Sequence, residues 1–235
     1  MKHLLLSLVV VALCTNVFAQ GLSKETRLEL ASANEWRGTV LTDGLVFQPQ
    51  VDFTFPTGTQ FRVWGSFDLE NQGINELQLF LRHNLSAGLA STSVGVIRYQ
   101  REGALADTTE LFGSVSFVIP MPLTFSVWKD FDQVNGLYAR LGTGAKLPLV
   151  GVPGTKMDAS WRAWVGYSDD AHAAYYGAAN SGIADLGGRV TVGFGVGKAW
   201  VAPWIQYATL IDTDFSSANG HRSNVTYGVA FGTGF

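Results

Sequence analysis

Leu45-Val46-Phe47-Gln48-Pro49-Gln50-Val51-Asp52-Phe53-Thr54-Phe55 alternates apolar and polar side chains along its whole length. Leu45, Phe47, Pro49, Val51, Phe53 and Phe55 fall on one side, and Val46, Gln48, Gln50, Asp52 and Thr54 on the other. That is the period-two signature of a strand with one apolar and one wet face. After the turn Pro56-Thr57-Gly58-Thr59 the pattern repeats. Phe61, Val63, Gly65, Phe67 and Leu69 oppose Arg62, Trp64, Ser66, Asp68 and Glu70.

Working outward, the alternation predicts strands near 23–38, 44–55, 59–70, 74–85, 91–102, 107–119, 123–130, 135–148, 155–168, 184–197, 199–210 and 222–235. In the fifth, Val94 and Val96 share a face with Arg98 while Ile97 and Tyr99 lie opposite, so a parity-switching bulge is expected there. Connections alternate in length. Pro56–Thr59, Ser86–Ala90, Pro120–Pro122, Leu149–Gly154 and Gly197–Lys198 are short, and the intervening set includes the long Asp169–Gly182 and Ile211–His221. The fold class predicted is all-β: a closed antiparallel transmembrane barrel of twelve strands (ten to fourteen fit the pattern), with short periplasmic turns and longer outer loops.

Alternation also suits a soluble barrel, whose apolar face points inward. Three features favour the membrane. The polar faces carry Asp52, Arg62, Trp64, Asp68, Glu76, Arg82, Asp130, Arg140, Lys146, Asp158, Arg162 and Arg189, which predicts a pore lining with balanced signs and weak ion selectivity. Trp36, Tyr167 and Tyr207 fall near the outer strand ends of the apolar face, and Phe55, Phe61 and Phe235 near the inner ends, as two aromatic girdles require. The last strand places Val225, Tyr227, Val229, Phe231, Thr233 and Phe235 on one face. Tyr227, Phe231 and the terminal Phe235 are the residues expected to serve membrane insertion and recognition by the barrel-assembly machinery. Gly228, Gly232 and Gly234 share its other face, and Gly193, Gly195 and Gly197 lie on the strand before Trp200 and Trp204. Those two rings are expected to cover the bare glycine backbone.

The first 19 residues read as a signal peptide. Lys2 and His3 precede an apolar run from Leu4 to Leu13, and Val17-Phe18-Ala19 supplies a cleavage site, leaving 20–235 as one barrel domain. The run is too short for a spanning helix. Cys14, the one cysteine, follows Leu13 within that run, a poor setting for lipidation, so cleavage leaves no thiol chemistry. The net charge of −3 and the lack of a basic run argue against nucleic acid as a partner. Expected partners are outer-membrane lipid, the assembly machinery and small solutes.

The opening strands also carry a family likeness. Asn34-Glu35-Trp36-Arg37-Gly38, a polar turn, and Val46-Phe47-Gln48-Pro49 resemble the start of the small TorF-like porins, an outer-membrane β-barrel family. Val63-Trp64-Gly65-Ser66 with Asp68-Leu69 resembles their third strand. Trp36 stands where those barrels more often carry Phe or Tyr. The likeness spans about residues 25–100. It implies an outer-membrane channel with no catalytic residue.

Chemistry-bearing residues are sparse. After the leader the histidines are His83, His172 and His221, too scattered for a metal centre, and no cofactor motif is present. Asp169, Asp170 and His172 lie where rim proteases of the barrel type hold Asp and His, but a solvated loop explains them equally well. His221 and Ser223 are two apart on a strand, an arrangement that resembles barrel lipid hydrolases, yet no carboxylate is evident to orient the histidine. The reading is therefore non-enzymatic: a channel for passive diffusion of small hydrophilic solutes. The alternatives are a closed structural or surface-binding barrel, and a lipid hydrolase using His221 and Ser223.

Overall fold

The computed structural model describes residues 21–102, 105–149, 155–212, 214–216 and 222–234. The leader Met1–Ala19, His221 and Phe235 lie outside these residues. The strands are β1 (Ser23–Trp36), β2 (Thr39–Thr54), β3 (Thr59–Asp68), β4 (Gly73–Ala87), β5 (Ala90–Arg101), β6 (Thr108–Phe117), β7 (Leu123–Asp130), β8 (Leu137–Leu149), β9 (Lys156–Ser168), β10 (Gly182–Val196), β11 (Ala199–Leu210) and β12 (Ser223–Thr233). One short helix, α1 (Asp170–Tyr175), sits in the β9–β10 loop. Each strand pairs antiparallel with its sequence neighbours, and β1 pairs with β12, so twelve strands close into a barrel. Closure leaves no sheet edge, the condition for placing strands in hydrocarbon.

The side-chain distribution is inverted relative to a soluble protein. Leu79, Leu81, Leu111, Leu141, Val190, Ile205 and Tyr227 are exposed on the outside, whereas Glu29, Gln48, Asp52, Glu76, Glu110 and Asp185 are buried. An apolar exterior this extensive is unsuited to water. Phe117, Phe125, Phe194 and Phe231 ring the end of the barrel that carries the chain termini, and Tyr167 and Tyr207 are exposed near the other.

Three details depart from simple alternation. The strand expected to begin at 44 begins at Thr39, and the expected polar turn shrinks to Arg37 and Gly38, both in the left-handed region (φ 50° and 82°). So one connection at the loop end is as tight as any hairpin at the other. Register shifts between Ala31 and Ala33 and between Asn34 and Glu35 reset the facing of the last turns of β1. As a result Trp36, expected on the outer girdle, turns inward and packs edge-on against Tyr99, 5.2 Å between centroids. In β5 the expected bulge is absent: its registers with β4 and β6 run unbroken. Ile97 and Tyr99 simply face inward, into a cluster with Phe80, packed against Trp36, Phe112 and Trp128.

The tryptophan–glycine packing is present at Gly228 and Gly232 but not at the other glycines expected: a Cβ on Gly193 would meet Asp158, one on Gly234 would meet Glu25, and nothing lies within 4 Å of that position on Gly197. Trp204 pairs with Gly228 and Trp200 with Gly232 across β11 and β12. A Cβ on Gly228 would come within 2.8 Å of the Trp204 ring, and one on Gly232 within 2.5 Å of the Trp200 ring. Trp164 covers Gly187 in the same way, a pair the sequence reading missed. Trp204 is buried, so Trp204→Ala should cost about 3–5 kcal/mol. A lowered midpoint for the heat-induced gel-mobility shift of the folded barrel checks this.

Candidate functional site: the barrel lumen

Among the described residues, three spaces that share lining residues follow one another along the lumen. At the loop end a vestibule of about 550 Å³ lies among Asn34, Thr39, Asp68, Glu76, Arg101, Tyr175 and Tyr176. Mid-barrel, a cavity of about 290 Å³ shares Asn34 and Glu76 with it. Toward the terminus end lies a space of about 660 Å³, sharing Glu29, Gln48, Gln50, Trp64, Arg162 and Arg189 with the middle one.

The walls differ in chemistry. Arg140, Arg162 and Arg189 come from consecutive strands β8, β9 and β10, each on the inner face of its strand. Glycine stands across from the bulky groups: Gly166 opposite Arg140, Gly144 opposite Arg162, and Gly142 and Gly187 flanking Trp164. This spacing lets long side chains lie along the wall. Arg189 stacks over Trp204 at 3.7 Å from the ring centroid, and Arg140 over Trp164 at 5.1 Å.

Of the residues expected to line a pore, Arg62, Trp64, Glu76, Arg140, Arg162 and Arg189 border the middle cavity and Lys146 the terminus-end space. Asp52 and Asp158 stand behind this lining. Asp52 accepts from Arg62 (2.7 Å), Gln60 (2.9 Å) and Gln50, and Asp158 pairs with Lys146 at 3.1 Å. Asp68 and Asp130 organise turns at the loop end. Asp68 accepts from the backbone N–H groups of Glu70 and Asn71, and Asp130 from those of Asp132, Val134 and Asn135. Asp68 also borders the vestibule. Arg82 lies beside the Phe80 ring. The two inner spaces depart from the expected balance of charge. Arg37, Arg62, Arg140, Arg162 and Arg189 oppose only Glu29, Glu35 and Glu76 in the middle cavity. Arg27, Lys146, Arg162 and Arg189 oppose Glu29 alone below it. The lining of these two spaces is basic because Asp52, Asp158 and Asp185 are held behind it, whereas the vestibule carries Asp43, Asp68, Glu76 and Glu102 against Arg101.

The loop-end mouth is stoppered. Arg37, at the tip of the β1–β2 hairpin, bends into the lumen. Its guanidinium lies 4.0 Å from the Trp36 centroid and 4.3 Å from that of Tyr138. It donates to Glu110 (2.7 Å), which also accepts from the Tyr99 hydroxyl (2.9 Å), and to His172 Nε2 at 2.6 Å. Arginine has only donors, so Nε2 is the acceptor and the ring proton sits on Nδ1, donating to Ser168 Oγ at 2.8 Å. His172 is thus neutral. Burial first, then the Arg37 and Arg101 charges, hold its pKa well below the usual 6.5. It belongs to α1, whose N-cap Asp169 accepts from the His172 backbone N–H. Ala173 and Ala178 pack with Tyr138, Ala184, Leu210 and Phe215 in a buried cluster. Asp185 anchors the wall beneath, accepting from Tyr138 and Trp164, both at 2.6 Å. Sequence reasoning missed Arg37, Glu110, Tyr99, Tyr138 and Asp185.

Among the described residues, no group of three or more His, Cys, Asp or Glu side chains is placed to hold a metal. Asp169 and His172, the rim candidates, are a helix cap and a stopper residue. Ser223 accepts from the Tyr207 hydroxyl (3.1 Å) and donates to Thr209 (3.0 Å), so its hydroxyl is already engaged.

These features define a closed barrel with an apolar exterior, an arginine-rich inner lumen and one stoppered mouth. Solved structures share the barrel fold. The NanC porin superposes with a TM-score of 0.56 over 91% of this chain and 100% of its own, at 8% identity. The KdgM porin gives 0.54 over 90% and 98%, at 10% identity. The fold is porin-like. No protein-family model and no curated protein sequence matches the chain.

Proposed function

We propose that the protein is an outer-membrane channel that admits small hydrophilic solutes by passive diffusion, with a preference for anions and a closable outer mouth. The observation that carries this reading is the basic lining of the middle and terminus-end spaces inside an apolar-clad barrel, below a vestibule that carries Asp43, Asp68, Glu76 and Glu102 against Arg101. The loop end faces outward and the terminus end faces the periplasm. In this reading the leader exports the chain, and Tyr227, Phe231 and Phe235 present it to the assembly machinery and then to lipid. The TorF-like resemblance of the first strands supports the same assignment. No catalysis, cofactor or nucleic acid enters it.

The stopper favours a second reading, a closed structural or surface-binding barrel. Planar-bilayer recording of the refolded protein separates the two. The channel reading expects discrete conductance steps and a reversal potential displaced toward that of the anion in a salt gradient. Silence that persists after α1 is deleted supports the closed barrel.

A further inference from the structure

We infer that the waist of the lumen, around Arg162, is a binding site for the oxyanion group of a small solute, a carboxylate or a phosphate. The inference deepens the channel reading and rests on it for access of the solute to the waist.

Arg162 borders both the middle cavity and the space below it. Its one hydrogen bond among the described residues runs to the neutral Gln206 Oε1, at 3.3 Å. Among the described residues no carboxylate lies within ion-pair distance of it, in contrast to Arg62, Arg140 and Arg189, which have Asp52, Asp185 and Glu29. The Arg162 side chain is open to the lumen and has no ion-pair partner among the described residues, so a bound anion supplies the close counter-charge that the protein omits.

The same cavity carries further unsatisfied donors. Asn34 Nδ2, Trp36 Nε1 and Trp204 Nε1 are buried and lack an acceptor. Asn34 is only 4% exposed and Trp204 8%. The Asn34 carbonyl oxygen already accepts from Gln48 Nε2, at 3.3 Å, which fixes the amide and leaves the N–H₂ group free. Indole and guanidinium groups cannot accept. The carboxylates that line the cavity are each engaged: Glu35 accepts from Gln206 and Thr226, Glu29 from Arg27, and Glu76 from Gln78. What remains is a surplus of donors and positive charge. Water brings donors as well as acceptors and relieves only part of it. An oxyanion brings acceptors alone.

The test uses the full barrel folded in detergent, followed by intrinsic tryptophan fluorescence, with Trp164 and Trp204 as reporters beside the site. Succinate and inorganic phosphate are the probes and succinamide is the neutral control. Expected is saturable binding of succinate, phosphate or both, little response to succinamide, and at least tenfold weaker binding in Arg162→Gln with an unchanged heat-induced gel shift. The tighter of the two probes identifies the source of the oxyanion. Equal binding of succinamide, no saturation by either anion, or undiminished affinity in Arg162→Gln overturns the site. If that variant does not fold, Arg162→Lys keeps the charge but loses the planar fork. Weaker binding then supports the site and equal binding overturns it. Saturable binding in a barrel that never conducts sinks the channel reading and keeps the site; conduction without saturable binding does the reverse.

Discussion

Gly228→Val and Gly232→Val are each expected to prevent the barrel from closing, whereas Gly113→Ala is expected to be harmless. The closing seam between β1 and β12 has six residue pairs among the described residues, Thr26–Ala31 against Gly228–Thr233. No other strand pair has so few: the next shortest, β2 with β3 and β7 with β8, have seven. Two of the six are glycines, and a Cβ at either collides with backbone as well as with a ring. At Gly228 the Leu30 carbonyl oxygen is nearer than the Trp204 ring carbon at 2.8 Å, and at Gly232 the Thr26 carbonyl oxygen is nearer than Trp200. A ring can tilt, but a carbonyl on a paired strand moves only if the seam opens. Overpacking of this kind costs about 1–3 kcal/mol where relaxation is possible. Here relaxation breaks the only contact that closes the sheet, and an open edge in hydrocarbon leaves backbone groups unpaired at several kcal/mol each. Gly113 has nothing within 4 Å of its Cβ position and an ordinary backbone, so alanine there removes the entropy penalty of a strand glycine, about 0.5–1 kcal/mol. The readout is the heat-sensitive band of the folded barrel on a gel. Folded, heat-sensitive Gly232→Val protein in wild-type yield would show that the seam tolerates the side chain.

The twelve-strand topology could be read from sequence because period two is enforced on every strand by the same physics: lipid on one side, water or charge on the other. That constraint fades where neither phase is sampled. At the loop end the interior is filled by protein, so Ile97, Tyr99 and Phe112 could be inward and apolar without violating anything, and alternation carried no information about them. Trp36 was misplaced for a different reason. Two register shifts lie within five residues of it, and a bulge is a backbone event with no fixed side-chain signature. Of the twelve charged and aromatic residues taken as a pore lining, Arg62, Trp64, Glu76, Arg140, Arg162 and Arg189 border the middle cavity and Lys146 the space below it. Residue type alone could not show that Asp68 and Asp130 would turn to cap loops, and so could not show the basic remainder. The stopper left no mark of this kind, since Arg and Gly are ordinary residues for a hairpin tip surrounded by water.

Acidification below about pH 6.5 is expected to loosen that stopper, and removal of His172 should abolish the effect. Undocked, His172 regains its ordinary pKa of 6.5; docked, its pKa is well below that. The undocked state therefore binds more protons in this window, so docking is fully supported above pH 6.5 and weakens as pH falls from there toward the docked pKa. The slope is about 1.4 kcal/mol, or tenfold in the docking equilibrium, per pH unit. The geometry gives the same sign. Protonation places an N–H on Nε2 where Arg37 already donates, and puts a third positive charge beside Arg37 and Arg101. Glu110 is the nearby anion, but it is already engaged by Arg37 and Tyr99. Tyr138 and Tyr176 pack on the ring, and Ser168 and Asp169 hold its Nδ1 and backbone N–H. None of these contacts offers a protonated Nε2 an acceptor. In single-channel recordings between pH 7.5 and 5, the open fraction should rise as pH falls. His172→Gln keeps an oxygen to accept from Arg37 and cannot titrate, so its profile should be flat. Arg37→Ala leaves Glu110 buried without its partner, a loss of about 3–5 kcal/mol for a broken buried pair, and should raise the open fraction at every pH. An unchanged pH profile in His172→Gln would place the sensor elsewhere, and an unchanged open fraction in Arg37→Ala would mean that the hairpin tip does not hold the mouth shut.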